Sequence, residues 1–477
     1  MMRAIFILVI SFLSAEYSLA QKLYMSEKED ANLRYDDFAV VGKMEEATVV
    51  YRKRNKKAEL IFYNSTMNKI RSVAMDMVDE NYSQVFFLSN GKTIVAAYQQ
   101  RENKKENLYV SQLQSDMKWT APILLTSIPS GGLRQNLSFT VARSQNNSKM
   151  LLYSYYYEND TWNIEAFVVS DEMKLVTQIK QPLPEREWIV NDEAAVSNSG
   201  NAYVLYHEKQ SSKGSVNEFS ILSARQRAAA FTINPIEVNK HAISDFRFAI
   251  DPNHTMVYLC GFYAEGRFNT PKGIYYTAFD EEQQEAPVSH FVPLALQVTQ
   301  GRNDLKDFKI RHLSVKTDGG IEVVAEKYFQ SLRTITSMNP TFGIGMMSMQ
   351  DNSRTINEYY YDELAIFNLK VDGSVAWSQV MLKEQLSNDD LGIYSSIGIL
   401  EHKQGKVYLF NDVNSKTPRL MAGIINNNSE MTMKEVPTDV EMQDWNWMPR
   451  SAKQTSKAEI VMPCVMKSYL CFLKISF

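Results

Sequence analysis

A short apolar run, followed by a second run of alternating character, recurs eight times along this chain. The first runs read Ala47-Thr48-Val49-Val50-Tyr51, Thr93-Ile94-Val95-Ala96-Ala97-Tyr98, Met150-Leu151-Leu152-Tyr153, Ala202-Tyr203-Val204-Leu205-Tyr206, Met256-Val257-Tyr258-Leu259, Ile321-Glu322-Val323-Val324, Val407-Tyr408-Leu409-Phe410 and Glu459-Ile460-Val461-Met462. They are too short for helices and rich in β-branched and aromatic side chains, which marks strands with both faces covered. Polar turns stand just before many of them, as in Ser89-Asn90-Gly91, Asn198-Ser199-Gly200, Asp318-Gly319-Gly320 and Gln404-Gly405. Asn and Gly supply the positive φ that tight hairpins demand. Third strands follow, among them Glu59–Tyr63, Asn107–Val110, Ile164–Val169, Gly273–Tyr276 and Leu364–Leu369.

Four antiparallel strands repeated in this way predict an all-β fold, a single β-propeller over residues 21–477. One four-stranded sheet cannot cover both its faces, whereas radial packing of blades covers both and leaves short edges. Eight blades use every unit, and seven remains the alternative. The last unit ends one strand short, with strands around Trp445–Met448, Glu459–Met462 and Leu470–Ser476. Lys22-Leu23-Tyr24-Met25 is an orphan strand at the other end. The economical solution is that this N-terminal strand completes the last blade and closes the ring.

The units are not equal. The step from Val323 to Tyr408 is 85 residues, the longest in the series, and its excess lies at about 330–358 in blade six. Excursions of this length from a compact blade tend to be functional or disordered. The Met and aromatic content here argues against simple disorder. The expected binding surface comprises Tyr328, Phe329, Phe342, Met346, Met347, Tyr359, Tyr360 and Tyr361. The competing expectation is a cap laid over the protein's own blades. The stretch Glu326-Lys327-Tyr328-Phe329, the excursion, Tyr359-Tyr360-Tyr361-Asp362-Glu363-Leu364 and Asp372-Gly373-Ser374-Val375-Ala376-Trp377 resembles secreted, β-propeller-like proteins of Bacteroidetes bacteria. Tyr394-Ser395-Ser396 fits the same pattern. The resemblance implies a bacterial envelope or secreted location, and brings no activity and no site residues.

Composition changes the picture in one respect, which is compartment. Met1-Met2-Arg3, the apolar run Ala4–Leu13 and Ser18-Leu19-Ala20 have the order of a signal peptide over residues 1–20. The run is too short to cross a bilayer core, which needs about 20 apolar residues. The mature chain is therefore expected to start at Gln21, outside the cytoplasm, with no transmembrane segment. A net charge of −4 offers no electrostatic footprint for nucleic acid. Asn-x-Ser/Thr sequons occur at Asn64, Asn81, Asn136, Asn146, Asn159, Asn253 and Asn427. With a bacterial source they are chance matches.

Chemistry is sparse. The six histidines show no metal-ligand spacing, no Cys-x-x-Cys or Gly-x-Ser-x-Gly occurs, and no cofactor is expected. Arg311 and His312 open a first strand, which in a propeller lines the central channel, and could help to hold an anion there. Cys464 and Cys471 would face each other across a hairpin turning at Lys467-Ser468, either bridged or as two buried thiols. A two-residue loop would place them at a hydrogen-bonded pair, and a four-residue loop at a non-hydrogen-bonded pair, where side chains approach more closely. Cys260 is expected to be a core thiol. The functional expectation is a non-catalytic binding or scaffold propeller with a protein or glycan ligand. The alternative is a propeller hydrolase or lyase acting on a glycan, with carboxylates and aromatics at one mouth of the channel.

Overall fold

Eight antiparallel sheets, each built on four strands, form this protein. The computed structural model describes residues 21–477 apart from position 81 and segments 130–136, 185–192, 208–214, 239–240, 252–255, 266–269, 282–287, 295–304, 340–349, 413–418, 439–441 and 443–444. The expected leader therefore lies outside the described residues. The strands of each sheet are lettered a to d from the ring axis outward. In blade one they are Asp37–Met44, Ala47–Arg54, Lys57–Tyr63 and Lys69–Ala74. Every one of the eight apolar runs is a strand b.

These runs are continuously apolar because both faces of each blade are packed. In blade two, Ile94 and Ala96 of strand b point into the cluster shared with blade one. Their neighbours Val95 and Ala97 point the other way, toward blade three. The same alternation produces eight hydrophobic clusters, one in each gap between neighbouring blades. Eight sheets in an open row would have seven gaps. The eighth cluster sets Val50, Ile61 and Tyr63 of blade one against Val461, Leu470 and Phe472 of blade eight, so the ring is closed. This is an eight-bladed β-propeller, as the strand pattern implies.

The closure is the one expected. Lys22–Met25 is strand d of blade eight and pairs antiparallel with strand c, Tyr469–Ser476, from Lys22↔Ser476 to Met25↔Leu473. Ser26 continues the seam: its N–H donates to Phe472 O at 3.0 Å, and its Oγ accepts from Phe472 N–H at 2.9 Å. Strand a of this blade is split into Asn446–Trp447 and Lys453–Ser456 by a single 3-10 turn at Pro449–Ser451. No described helix is long and apolar enough to cross a membrane.

Antiparallel order sorts the turns by face. The b–c hairpins and the blade-to-blade connectors share one face, here the connector face, and the a–b and c–d turns share the other. In blades one to three the b–c hairpin turns within two residues, at Asn55-Lys56, Asn103-Lys104 and Asn159-Asp160, all with positive φ. Asn tolerates this left-handed conformation better than most residues. Blade six departs from the rule.

Candidate functional site

Strand b of blade six runs over Ile321–Asn339 and strand c over Gln350–Leu369. They stay in antiparallel register from Tyr328↔Tyr361 out to Asn339↔Gln350. Strand a, Phe308–Val315, leaves strand b at Phe308↔Lys327. On the other edge the connector to blade seven adds a short strand, Leu386–Asn388, against Glu358–Tyr360. Asp389 follows and clamps the ribbon through its Oδ1, which accepts from Asn357 N–H at 2.9 Å. Beyond this brace the ribbon stands out from the connector face. Leu332 is 67% exposed and Ile335 44%, which a cap over the blades would not allow.

The aromatic residues expected to form the surface lie instead at the base. Tyr359 and Tyr361 are buried, and Tyr328, Phe329 and Tyr360 are half-buried. Phe329 and Tyr360 stack at 4.4 Å, and the Tyr328 and Tyr361 rings meet at 4.8 Å. These rings anchor the ribbon. Phe342, Met346 and Met347 lie outside the described residues. Gly392 in the connector presses on Tyr361: it has φ +67°, and a Cβ there would sit 2.5 Å from the ring.

Beneath these rings lies a buried ion network. Glu326 of strand b forms an ion pair with Lys383 Nζ at 2.7 Å and accepts from Arg311 Nε and from Ser396 Oγ, each at 2.7 Å. Burial alone would raise the Glu326 carboxyl, but Lys383 and Arg311 overcome it and hold it below the usual carboxylate range. Lys383 also donates to Tyr361 O and Gln385 Oε1, each at 2.9 Å. Gln385 carries the chain of bonds to Asn411 O in blade seven at 2.9 Å, and Asn411 Nδ2 reaches Trp447 O of blade eight at 2.7 Å. The guanidinium of Arg311 lies 5.5 Å from the Tyr328 ring centre and 5.6 Å from that of Tyr361. On the flank of the network, Lys327 faces both Asp362 at 4.0 Å and Glu363 at 3.5 Å. Burial first, then Glu363, pushes the Asp362 carboxyl up.

The structure thus gives Arg311 and His312 different partners. Arg311 is neutralised by Glu326. His312 Nε2 lies 3.3 Å from Glu401 Oε1 in strand a of blade seven. Lys406 joins Glu401 at 2.9 Å and Glu322 at 2.8 Å, tying blades six and seven a second time. The hydrogen bond with His312 holds Glu401 down at about 2, against its burial and with help from Lys406. Sequence reading missed Lys383, Gln385 and Ser396, which sit in a connector where no periodicity marks buried positions. Their one signal was Tyr394-Ser395-Ser396.

Two further features stand apart from this network. Cys464 and Cys471 are directly opposed in the closing hairpin, whose turn is the two residues Lys467-Ser468. Both are buried free thiols, and Cys464 Sγ donates to Cys471 O at 3.4 Å; Cys260 is a buried free thiol as well. On the opposite face, between blades four and five, lies a cavity of about 340 Å³. Its wall residue Glu281 accepts from Tyr203 Oη at 2.9 Å.

No protein-family model matches the chain, and no curated protein matches it. Among solved structures, prolyl oligopeptidase B from Galerina marginata is similar over 92% of this chain and 56% of its own, at 11% identity and a TM-score of 0.43. This chain therefore spans little more than half the length of that enzyme. The β-propeller domain of the Trilobed protease from Pyrococcus furiosus is similar over 84% of this chain and 99% of its own, at 11% identity and a TM-score of 0.39. The polysaccharide lyase Uly1 is similar over 84% and 92%, at 9% identity and a TM-score of 0.38. Likenesses this distant carry nothing about activity.

Proposed function

We propose that this chain is a secreted or envelope-associated binding propeller without catalytic activity, whose partner, a protein or a glycan, docks on the ribbon of blade six. The location follows from the expected leader and from the resemblance in the Tyr-rich segment. One observation carries the docking assignment. The ribbon keeps its apolar side chains Leu332 and Ile335 in solvent, while its base is fixed by stacked aromatics and the brace from Leu386–Asn388. A stiff, exposed strand pair costs little ordering entropy on binding, and its free edges offer main-chain donors and acceptors.

The test is to replace residues 332–357 by Asn-Gly. This keeps the Ser331–Glu358 pair and restores the short b–c hairpin of the other blades. Pull-downs from envelope and medium fractions, and glycan arrays, are then compared for the two proteins. The intact chain is expected to retain partners that the shortened chain loses. Survival of every interaction after shortening would sink the assignment.

A further inference from the structure

On the channel side of the ring, Arg143 and Lys453 meet no acid among the described residues. Arg143 ends strand a of blade three, Thr140–Arg143, and Lys453 begins the second half of strand a in blade eight. Each reaches sideways to a neighbouring inner strand. Arg143 Nε donates to Phe87 O of blade two at 2.7 Å, and Lys453 Nζ donates to Val41 O of blade one at 2.7 Å. Register puts all four residues nearer the face of the a–b turns: Arg143 opposes Met150, Phe87 opposes Ala96, Lys453 opposes Val461, and Val41 is the bulged residue between Val40 and Gly42.

Other basic side chains on inner strands do have acid partners. Lys43 meets Glu459, Arg247 meets Glu193, Arg311 meets Glu326, and His312 meets Glu401. Arg143 and Lys453 have only carbonyl oxygens. Arg143 is nevertheless accessible to water, although it is set deep among the inner strands. Their acceptors lie on the neighbouring inner strands Asp37–Met44 and Gln84–Ser89, so the two side chains lean toward one another, and burial with repulsion from Arg143 pulls Lys453 down to about 8. Like charges brought together in a confined channel are costly unless something negative joins them.

We propose that Arg143 and Lys453 form an oxyanion site in the central channel, binding a phosphate or carboxylate group through one guanidinium and one ammonium. The guanidinium has two terminal Nη groups left for a bidentate contact once Nε is held by Phe87 O. The ammonium has donors to spare beyond Val41 O. Four blades, one, two, three and eight, then hold one anion, on the far side of the channel from the Glu401–His312 pair. This also relocates the channel anion expected at Arg311 and His312, whose charges are already paired.

The test uses the full chain and two probes, inorganic phosphate and malonate, titrated by calorimetry at constant ionic strength and at about pH 7, where Lys453 is mainly charged. Saturable binding of either probe supports the site, and preference between them assigns the phosphoryl or the carboxylate class. Arg143→Gln is expected to weaken binding roughly tenfold or more. Lys453→Gln, a change in a different blade, should do the same and keeps the test decisive if the first variant folds poorly. Lys467→Gln removes an equal charge at an exposed turn and should bind as the parent does. The proposal falls if neither probe saturates up to about 10 mM, if Arg143→Gln and Lys453→Gln bind unchanged, or if Lys467→Gln loses as much as they do.

Discussion

The ammonium of Lys383 lies 2.7 Å from the carboxylate of Glu326, and neither side chain exposes any surface to water. Lys383 belongs to the connector between blades six and seven, and Glu326 to the strand that carries the ribbon. The pair therefore fixes where the ribbon leaves the ring. Removing one partner strands a buried charge, at a cost of about 3–5 kcal/mol. Glu326→Leu, which strands Lys383 and Arg311, should lower the urea midpoint accordingly, and adding Lys383→Met should recover part of the loss. A double variant as unstable as the single one would show that the pair stabilises the fold beyond its charge balance.

Acid should loosen the same region first. Glu326 is held below its ordinary value by Lys383 and Arg311 against burial, and Glu401 is held at about 2 by its bond to His312. Both carboxylates bind protons more weakly in the folded chain than in the unfolded one. Both contributions are complete above the ordinary carboxylate value of 4.5 and are lost as pH falls below it, that of Glu401 toward about 2. Tm measured against pH should drop across that window, and Glu401→Gln should flatten the drop. An unchanged slope would remove Glu401 from the explanation.

Ring closure can be tested by removing residues 21–26. Strand c of blade eight then has an open edge from Leu473 to Ser476, a template for pairing with another chain. Tm is expected to fall on the order of 5 °C. Amide exchange should rise in Leu470–Ser476, and higher oligomers should appear on gel filtration. A monomeric product with parental Tm would mean that the other three strands hold the blade alone.

Cys464 and Cys471 should remain thiols even in an oxidising compartment. A two-residue turn places them at a hydrogen-bonded pair, where Cβ atoms stand farther apart than at the alternate pairs. A bridge would need backbone movement in a sealed hairpin. Thiol titration of protein unfolded without reductant should count all three cysteines of the sequence. A count of one would establish the bridge.

Two glycines with positive φ should differ in cost. Gly91 has φ +88° and nothing within 4 Å of a Cβ, so Gly91→Ala bears backbone strain alone, about 1 kcal/mol. Gly392→Ala bears similar strain and would also drive a methyl into the Tyr361 ring. Its cost should be larger, about 2–4 kcal/mol. Equal urea midpoints for the two variants would mean that Tyr361 moves aside freely.

Blade count, strand b and the closing strand were legible because burial on both faces writes unbroken apolar runs such as Ile94-Val95-Ala96-Ala97. The long hairpin was legible as a spacing. What it does was less so. Tyr359, Tyr360 and Tyr361 look like a display surface in sequence, yet a Tyr-rich strand serves equally as an anchor, and only burial distinguishes the two. Buried ions were invisible for a related reason. Lys383 and Glu326 are 57 positions apart, and a charged residue in a polar connector carries no mark of having been sealed. Arg143 and Lys453 are farther apart still, and only closure brings blades three and eight to one channel.

The seam at Lys22–Met25 also sets an order in time. A ribosome makes that strand before every other strand of the ring and its partner, Tyr469–Ser476, after them. Until then blade one presents Val50, Ile61 and Tyr63 to water, because their cover is strands of blade eight still to be made. Folding cannot be completed domain-first from the N-terminus, as it is in chains of separate modules. The nascent arc must be kept from sticking to its neighbours until all eight blades are made, and its dependence on chaperones should end abruptly when the closing hairpin arrives.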